Sequence, residues 1–262
     1  MKLERVSKLL WRFYLHIRRM RVSRMSMEEK KIRELMEDAE RDMKTDDLKE
    51  AGEKLHQAIQ MAEDIGNGEL VKQIWELVGK FTYTTKIHSV ELTPIETDGL
   101  ILDIGGGGEG IIGKLNGKQV VAVDTSEREL RETQSKALKV VMDATDLKFL
   151  PESFSVCTSF FSLMYIPNDK HLKVFKEVYR VLKKDGKILV WDVTVPEKRG
   201  DYKAFLVRLR VILPNEEIEA GYGVKWQRQN VEHFKELAQK TKFKIISEWS
   251  KGEIFHLEMA KV

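Results

Sequence analysis

One stretch constrains this chain of 262 residues more than any other: Ile101-Leu102-Asp103-Ile104-Gly105-Gly106-Gly107-Gly108-Glu109-Gly110. An apolar strand ends beside a carboxylate, breaks into glycines and resumes as a predicted helix from Gly110 to Leu115. Strand, glycine turn and helix in that order bring backbone close to a nucleotide-like ligand in an α/β fold. Glycine has no Cβ, so it accepts positive φ and lets ligand atoms approach the main chain. The spacing Gly105-x-Gly107-x-x-Gly110 also fits the dinucleotide fingerprint, which keeps a nicotinamide-dependent oxidoreductase open. Asp103 argues against pyrophosphate at this turn and for a cationic ligand.

A second apolar strand, Gln119 to Asp124, also ends in an acid. A carboxylate there can accept hydrogen bonds from both ribose hydroxyls, whichever nucleoside is bound. The short strand from Lys139 leads into the turn Asp143-Ala144-Thr145-Asp146, and the run Ser155–Phe161 follows as a fourth strand. The helix Lys170–Leu182, the turn Lys183-Lys184-Asp185-Gly186 and the strand Lys187–Asp192 come next.

Asp103-x-Gly105-x-Gly107 resembles the first motif of class I S-adenosylmethionine-dependent methyltransferases. S-adenosylmethionine carries an ammonium and a sulfonium and no phosphate, which suits Asp103. The ordered segments over about residues 80–262 are similar to the small-molecule, quinone-biosynthesis-like members of that family. Glu109 departs from the pattern, since many members carry glycine there. The resemblance implies an α/β fold with a seven-stranded, mostly parallel, doubly wound sheet and an antiparallel C-terminal hairpin, here 243–249 and 253–260. It also implies S-adenosylmethionine as cofactor. Asp103, Gly105, Gly106 and Gly107 would hold the methionine end, Asp124 and Thr125 the ribose, and Asp143 with Ala144 the adenine; Ser159 and Phe160 would complete the site.

The acceptor should meet the cofactor at the carboxyl ends of the strands. Three segments are expected there: Phe81–His88, Ser162–Pro167, and the insertion at about 194–229. In the insertion, Phe205, Val207, Leu209, Val211 and Leu213 alternate with Arg208 and Arg210 as in a strand, and Gly221–Trp226 looks like a hinged aromatic lid. Many relatives have His-His where this chain has Met164-Tyr165, so His88, Tyr83 and Tyr165 are the candidate catalytic residues. The Asn/Asp-Pro-Pro-aromatic signature of enzymes that methylate amino groups of DNA or protein is absent from 159–163, which disfavours nucleic acid; the resemblance to the quinone-biosynthesis-like group implies a small-molecule acceptor. A catalytically silent cofactor-binding or scaffold protein is the third alternative.

The single Cys157 excludes a disulfide framework and suits a reducing, cytoplasmic compartment. No metal-ligand cluster is visible. No apolar run reaches membrane-spanning length. Residues 1–26 carry eight basic side chains against Glu4 alone, so a net charge of +3 conceals a mildly acidic body. Their apolar residues recur at helical spacing, giving a basic amphipathic or disordered segment; a membrane-surface role is conceivable but not favoured. Residues 27–80 read as three helices, the first two similar to one tetratricopeptide-like hairpin, and could dock a protein partner. The methyltransferase-like part is taken as 81–262.

Overall fold

The computed structural model describes residues 26–197, 200–226 and 228–262. The expectation for residues 1–26 lies, apart from Ser26, outside them. Two compact units are present, one ending at Phe81 and the other spanning Thr82–Val262.

The first unit contains helices α1 (Met27–Lys44), α2 (Leu48–Asp64) and α3 (Gly68–Phe81). Each start is written in the sequence. Ser26 and Glu29 form a reciprocal capping box, and the Asp47 and Asn67 side chains accept the backbone N–H groups of Glu50 and Leu70. Ile32, Leu35, Ala39, Leu55, Ala58, Ala62 and Ile74 bury the apolar stripes against one another.

The second unit is built on seven strands in the order β4 (Leu138–Val141), β3 (Val120–Asp124), β2 (Ile101–Ile104), β5 (Phe154–Phe160), β6 (Leu182–Val193), β10 (Ile254–Lys261) and β9 (Phe243–Lys251). All neighbours from β4 to β6 are parallel, and β10 is antiparallel to both β6 and β9. The expected α/β sheet with its antiparallel C-terminal hairpin is thus present. Order reverses between β2 and β5, which is where such sheets open a ligand crevice.

Residues alternate between the two faces of the central strands. Leu102, Val121, Val123 and Cys157 pack against the helices α4 (Asn168–Val181) and α5 (Val231–Lys240). Ile101, Val120, Ala122 and Val156 face the other way. That second face is covered partly by a separate three-stranded sheet, β1 (Thr82–Glu91), β7 (Ala204–Ile212) and β8 (Glu217–Lys225). Phe205, Val207, Leu209 and Val211 of β7 point into this layer, as their alternation required.

Two expectations change here. Residues 82–91 are a strand parallel to β7 rather than a free segment before the first strand. A bulge between Thr84 and Ile87 breaks the alternation that would have signalled it. At the bulge Thr85 Oγ1 accepts the Arg208 backbone N–H, replacing a ladder partner. The aromatic lid is likewise strand β8, in continuous antiparallel register with β7 over Glu217–Lys225. Strand pairing replaces the hinge, because Gly221 and Gly223 sit within that ladder.

Candidate active site

The carboxyl ends of β2, β3 and β5 open into a cavity of about 600 Å³. The glycine loop forms its floor. Gly105 has φ of +70°, and its N–H and that of Gly106 both donate to the Val123 carbonyl, at 2.8 and 3.1 Å. A Cβ on Gly105 would stand 2.3 Å from Ser162 Cβ, and one on Gly106 would stand 2.7 Å from both Asp103 Oδ2 and Ala122 Cβ. The loop can therefore lie this close to Asp103, Ala122 and Ser162 only as glycine.

Asp103 is buried, at 3% exposure. Its cross-strand neighbour Thr158 donates to Oδ1 at 2.8 Å. Burial raises the carboxyl to about 7, against the lowering effect of Thr158; the Asp124 charge adds to the rise. Asp124, at the end of β3, accepts Gly107 N–H on Oδ2 at 3.3 Å and Ser126 N–H on Oδ1 at 2.8 Å. Asp143 Oδ1 accepts the Thr145 N–H at 2.7 Å, and that backbone bond holds its carboxyl below the ordinary range.

Asp103, Gly105, Gly106, Gly107, Asp124, Thr125, Asp143, Ala144, Phe160 and Tyr165 all line the cavity. Ser159 does not. Its hydroxyl is buried and lies 2.7 Å from Ser162 Oγ, which in turn donates to the Ile104 carbonyl at 2.6 Å. Ser162 thereby ties the end of β2 to the turn after β5, a role the sequence did not signal.

The three catalytic candidates separate. His88 points away from the cavity; its Nε2 lies 2.9 Å from Glu253 Oε2, and its ring abuts Gly252. Tyr83 packs among Tyr202, Phe205 and Trp226 in the small sheet. Both were displaced by the same fact, that 82–91 is a paired strand. Tyr165 alone is at the cavity, 52% exposed at its mouth. Desolvation of its hydroxyl, then the Glu109 and Asp192 charges, hold the phenol above its ordinary range, so it is a hydrogen-bond donor at neutral pH rather than a base.

Residues outside the expected set shape the same wall. Tyr222 of β8 donates to Glu109 Oε2 at 3.1 Å and stacks on Phe161 at 5.6 Å between ring centres. Phe161 is held at φ of +51°, an uncommon conformation for a bulky residue. Asp192, at the end of β6, accepts Met164 N–H on Oδ2 and the Gln229 side chain on Oδ1. Full burial raises it to about 7 despite these bonds. From the other side, His171 Nε2 lies 3.0 Å from the Leu163 carbonyl and its Nδ1 2.9 Å from His233 Nε2. The turn carrying Tyr165 is thus fixed by two buried side chains.

The donor set fits S-adenosylmethionine: a buried acid for a cation, a two-oxygen acceptor at the second strand, and a backbone cradle with no room for Cβ atoms. Residues 102–190 match the family model described as a methyltransferase domain. A solved structure of an S-adenosylmethionine-dependent methyltransferase from Methanosarcina mazei is 19% identical, with a TM-score of 0.48, over 66% of this chain and 99% of that one. Phosphoethanolamine N-methyltransferase 2 of Haemonchus contortus, solved with S-adenosyl-L-methionine, is 19% identical, with a TM-score of 0.46, over 64% of this chain and 50% of that one. No curated protein matches the chain. Sheet order, glycine cradle and family match agree: the seven-stranded unit has the fold of the class I S-adenosylmethionine-dependent methyltransferases, and its residues 102–190 match a methyltransferase domain.

Proposed function

We propose that this enzyme transfers the methyl group of S-adenosylmethionine to a small-molecule acceptor held in the cavity beside the glycine loop. The bound cofactor supplies an electrophilic methyl on a good leaving group, so the protein's task is alignment and exclusion of water. Asp103 and the cradle Gly105–Gly107 would hold the methionine end, Asp124 and Thr125 the ribose, and Asp143 and Ala144 the adenine. Phe160 would pack beside the cofactor, with Ser159 bracing the wall through Ser162. Tyr165 would orient the acceptor through its hydroxyl.

The observation that carries the small-molecule reading is that β8 walls the cavity. Gly221 and Tyr222 line it as part of a paired strand, leaving about 600 Å³ for cofactor and acceptor together. Among the described residues no helix is long and apolar enough to cross a membrane. The buried, lone Cys157 supports a reducing, cytoplasmic setting. Residues 27–80 are assigned as a helical appendage and 81–262 as the methyltransferase domain.

Incubating the protein with methyl-labelled cofactor and a fractionated cell extract tests the acceptor class. Label should enter the low-molecular-weight fraction. Label confined to protein or nucleic acid would overturn the proposal.

A further inference from the structure

At the cavity wall formed by β8, one carboxylate is left over once the cofactor is accommodated. Asp103, Asp124 and Asp143 are taken up by the cofactor assignments, and Glu129 lies 3.4 Å from the Arg128 guanidinium. Glu109 has neither role. It stands in the glycine loop between Gly108 and Gly110, and among the described residues its recorded partner is the neutral Tyr222 hydroxyl. A carboxylate has room for several more donors.

Around Glu109 the wall is aromatic. Tyr222 stacks on Phe161, and Phe160 meets both rings edge-on, at 4.9 Å from Phe161 and 6.5 Å from Tyr222. Tyr165 lines the same cavity, and the Glu109 charge acts on both phenols. Desolvation first, then Glu109, keeps Tyr222 un-ionised, so its ring offers a neutral π-face. Of the described lining residues Lys170 alone is cationic, and its charge acts on Asp143, at the other end of the site.

We infer that the methyl acceptor is an amine, recognised by Glu109 and the rings of Phe160, Phe161, Tyr165 and Tyr222. This rests on the methyltransferase reading of the same cavity. The chemistry follows the charge. The nitrogen lone pair forms the bond to the methyl carbon, and the carbon–sulfur pair stays on sulfur. The positive charge thus leaves a sulfonium and appears on an ammonium, whose extra proton then passes to solvent. A carboxylate and electron-rich ring faces placed where that charge develops favour the step. No protein base is needed once the amine is neutral, which agrees with the position of His88 and the high-lying phenols. Transfer to a carboxylate or phenolate instead consumes a negative charge, which Glu109 would repel from the site.

Calorimetric titration of the full-length protein saturated with S-adenosylhomocysteine tests this, using benzylamine, benzyl alcohol and benzoate as probes of one size and three charges. Benzylamine should bind at least about tenfold more tightly than either of the others, and Glu109→Gln should erase that preference. Glu109→Asp, which keeps the charge, should retain part of it and guards against a folding artefact. Benzoate binding as well as benzylamine, an unchanged preference in Glu109→Gln, or no benzylamine binding to the loaded protein would each overturn the amine assignment. Failure of S-adenosylhomocysteine itself to bind would overturn the cofactor reading first, and the inference with it.

Discussion

Asp103 and Asp124 do different work although each closes a strand of the same sheet. Asp124 accepts two backbone N–H groups and still presents free lone pairs, which suits a pair of hydroxyls. Asp124→Ala should weaken S-adenosylhomocysteine binding by about 1.5–3 kcal/mol, read by calorimetry. Asp103 is desolvated, and its carboxyl stands at about 7 before any ligand arrives. The ionised form is the one that attracts an ammonium. Affinity should therefore rise as pH increases from 6 to 8, with proton release on binding near pH 6.5, and Asp103→Asn should flatten that profile. A pH-independent affinity in the native protein would contradict the role given to Asp103. Both acids were legible in the sequence, because each follows an apolar run at a strand end. Glu109 was legible only as a departure; its meaning needed Tyr222, which lies 113 positions away.

At the level of elements, the glycine loop tolerates no addition. Gly106→Ala would place a methyl 2.7 Å from Asp103 Oδ2 and Ala122 Cβ. It should abolish cofactor binding while the far-ultraviolet circular dichroism stays native. The turn Leu163–Tyr165 depends on Asp192 from below. The folded value of Asp192, about 7, lies above its ordinary 3.8. Its contribution to stability is therefore full below the lower value and lost as pH rises through the upper one. Denaturation of Asp192→Asn across pH 4–7 should show the variant gaining on the native protein, by up to about 1.4 kcal/mol per pH unit, and levelling off above pH 7. Strands β2, β3, β5 and β7 were readable because apolar runs and strict alternation each have one structural meaning. Strand β1 was not, since its bulge moved His88 out of phase with Thr85 and turned a strand into an apparent approach to the cleft. The lid became β8 for a related reason: Gly221 and Gly223 suggested a hinge, and only pairing with β7 shows them to be ladder positions.

Across the whole molecule, the described residues that line the cavity all come after Thr82. The helical unit carries its own apolar core. A protein lacking residues 1–80 should accordingly keep its affinity for S-adenosylhomocysteine within about a factor of three, well inside the spread expected for losing one contact. The fold of the larger unit was legible because its signals agree in order along the chain, from Asp103 to the terminal hairpin. The acceptor side was less so: it is assembled from a loop glutamate, a strand-end aromatic pair and a strand of a second sheet, with no short motif linking them. The central claim is that the cavity at the ends of β2 and β3 binds S-adenosylmethionine and not a dinucleotide. Calorimetric titration with S-adenosylhomocysteine and, separately, with NADH tests it most directly. Micromolar binding of the first and none of the second is the predicted result. Binding of NADH alone would contradict it.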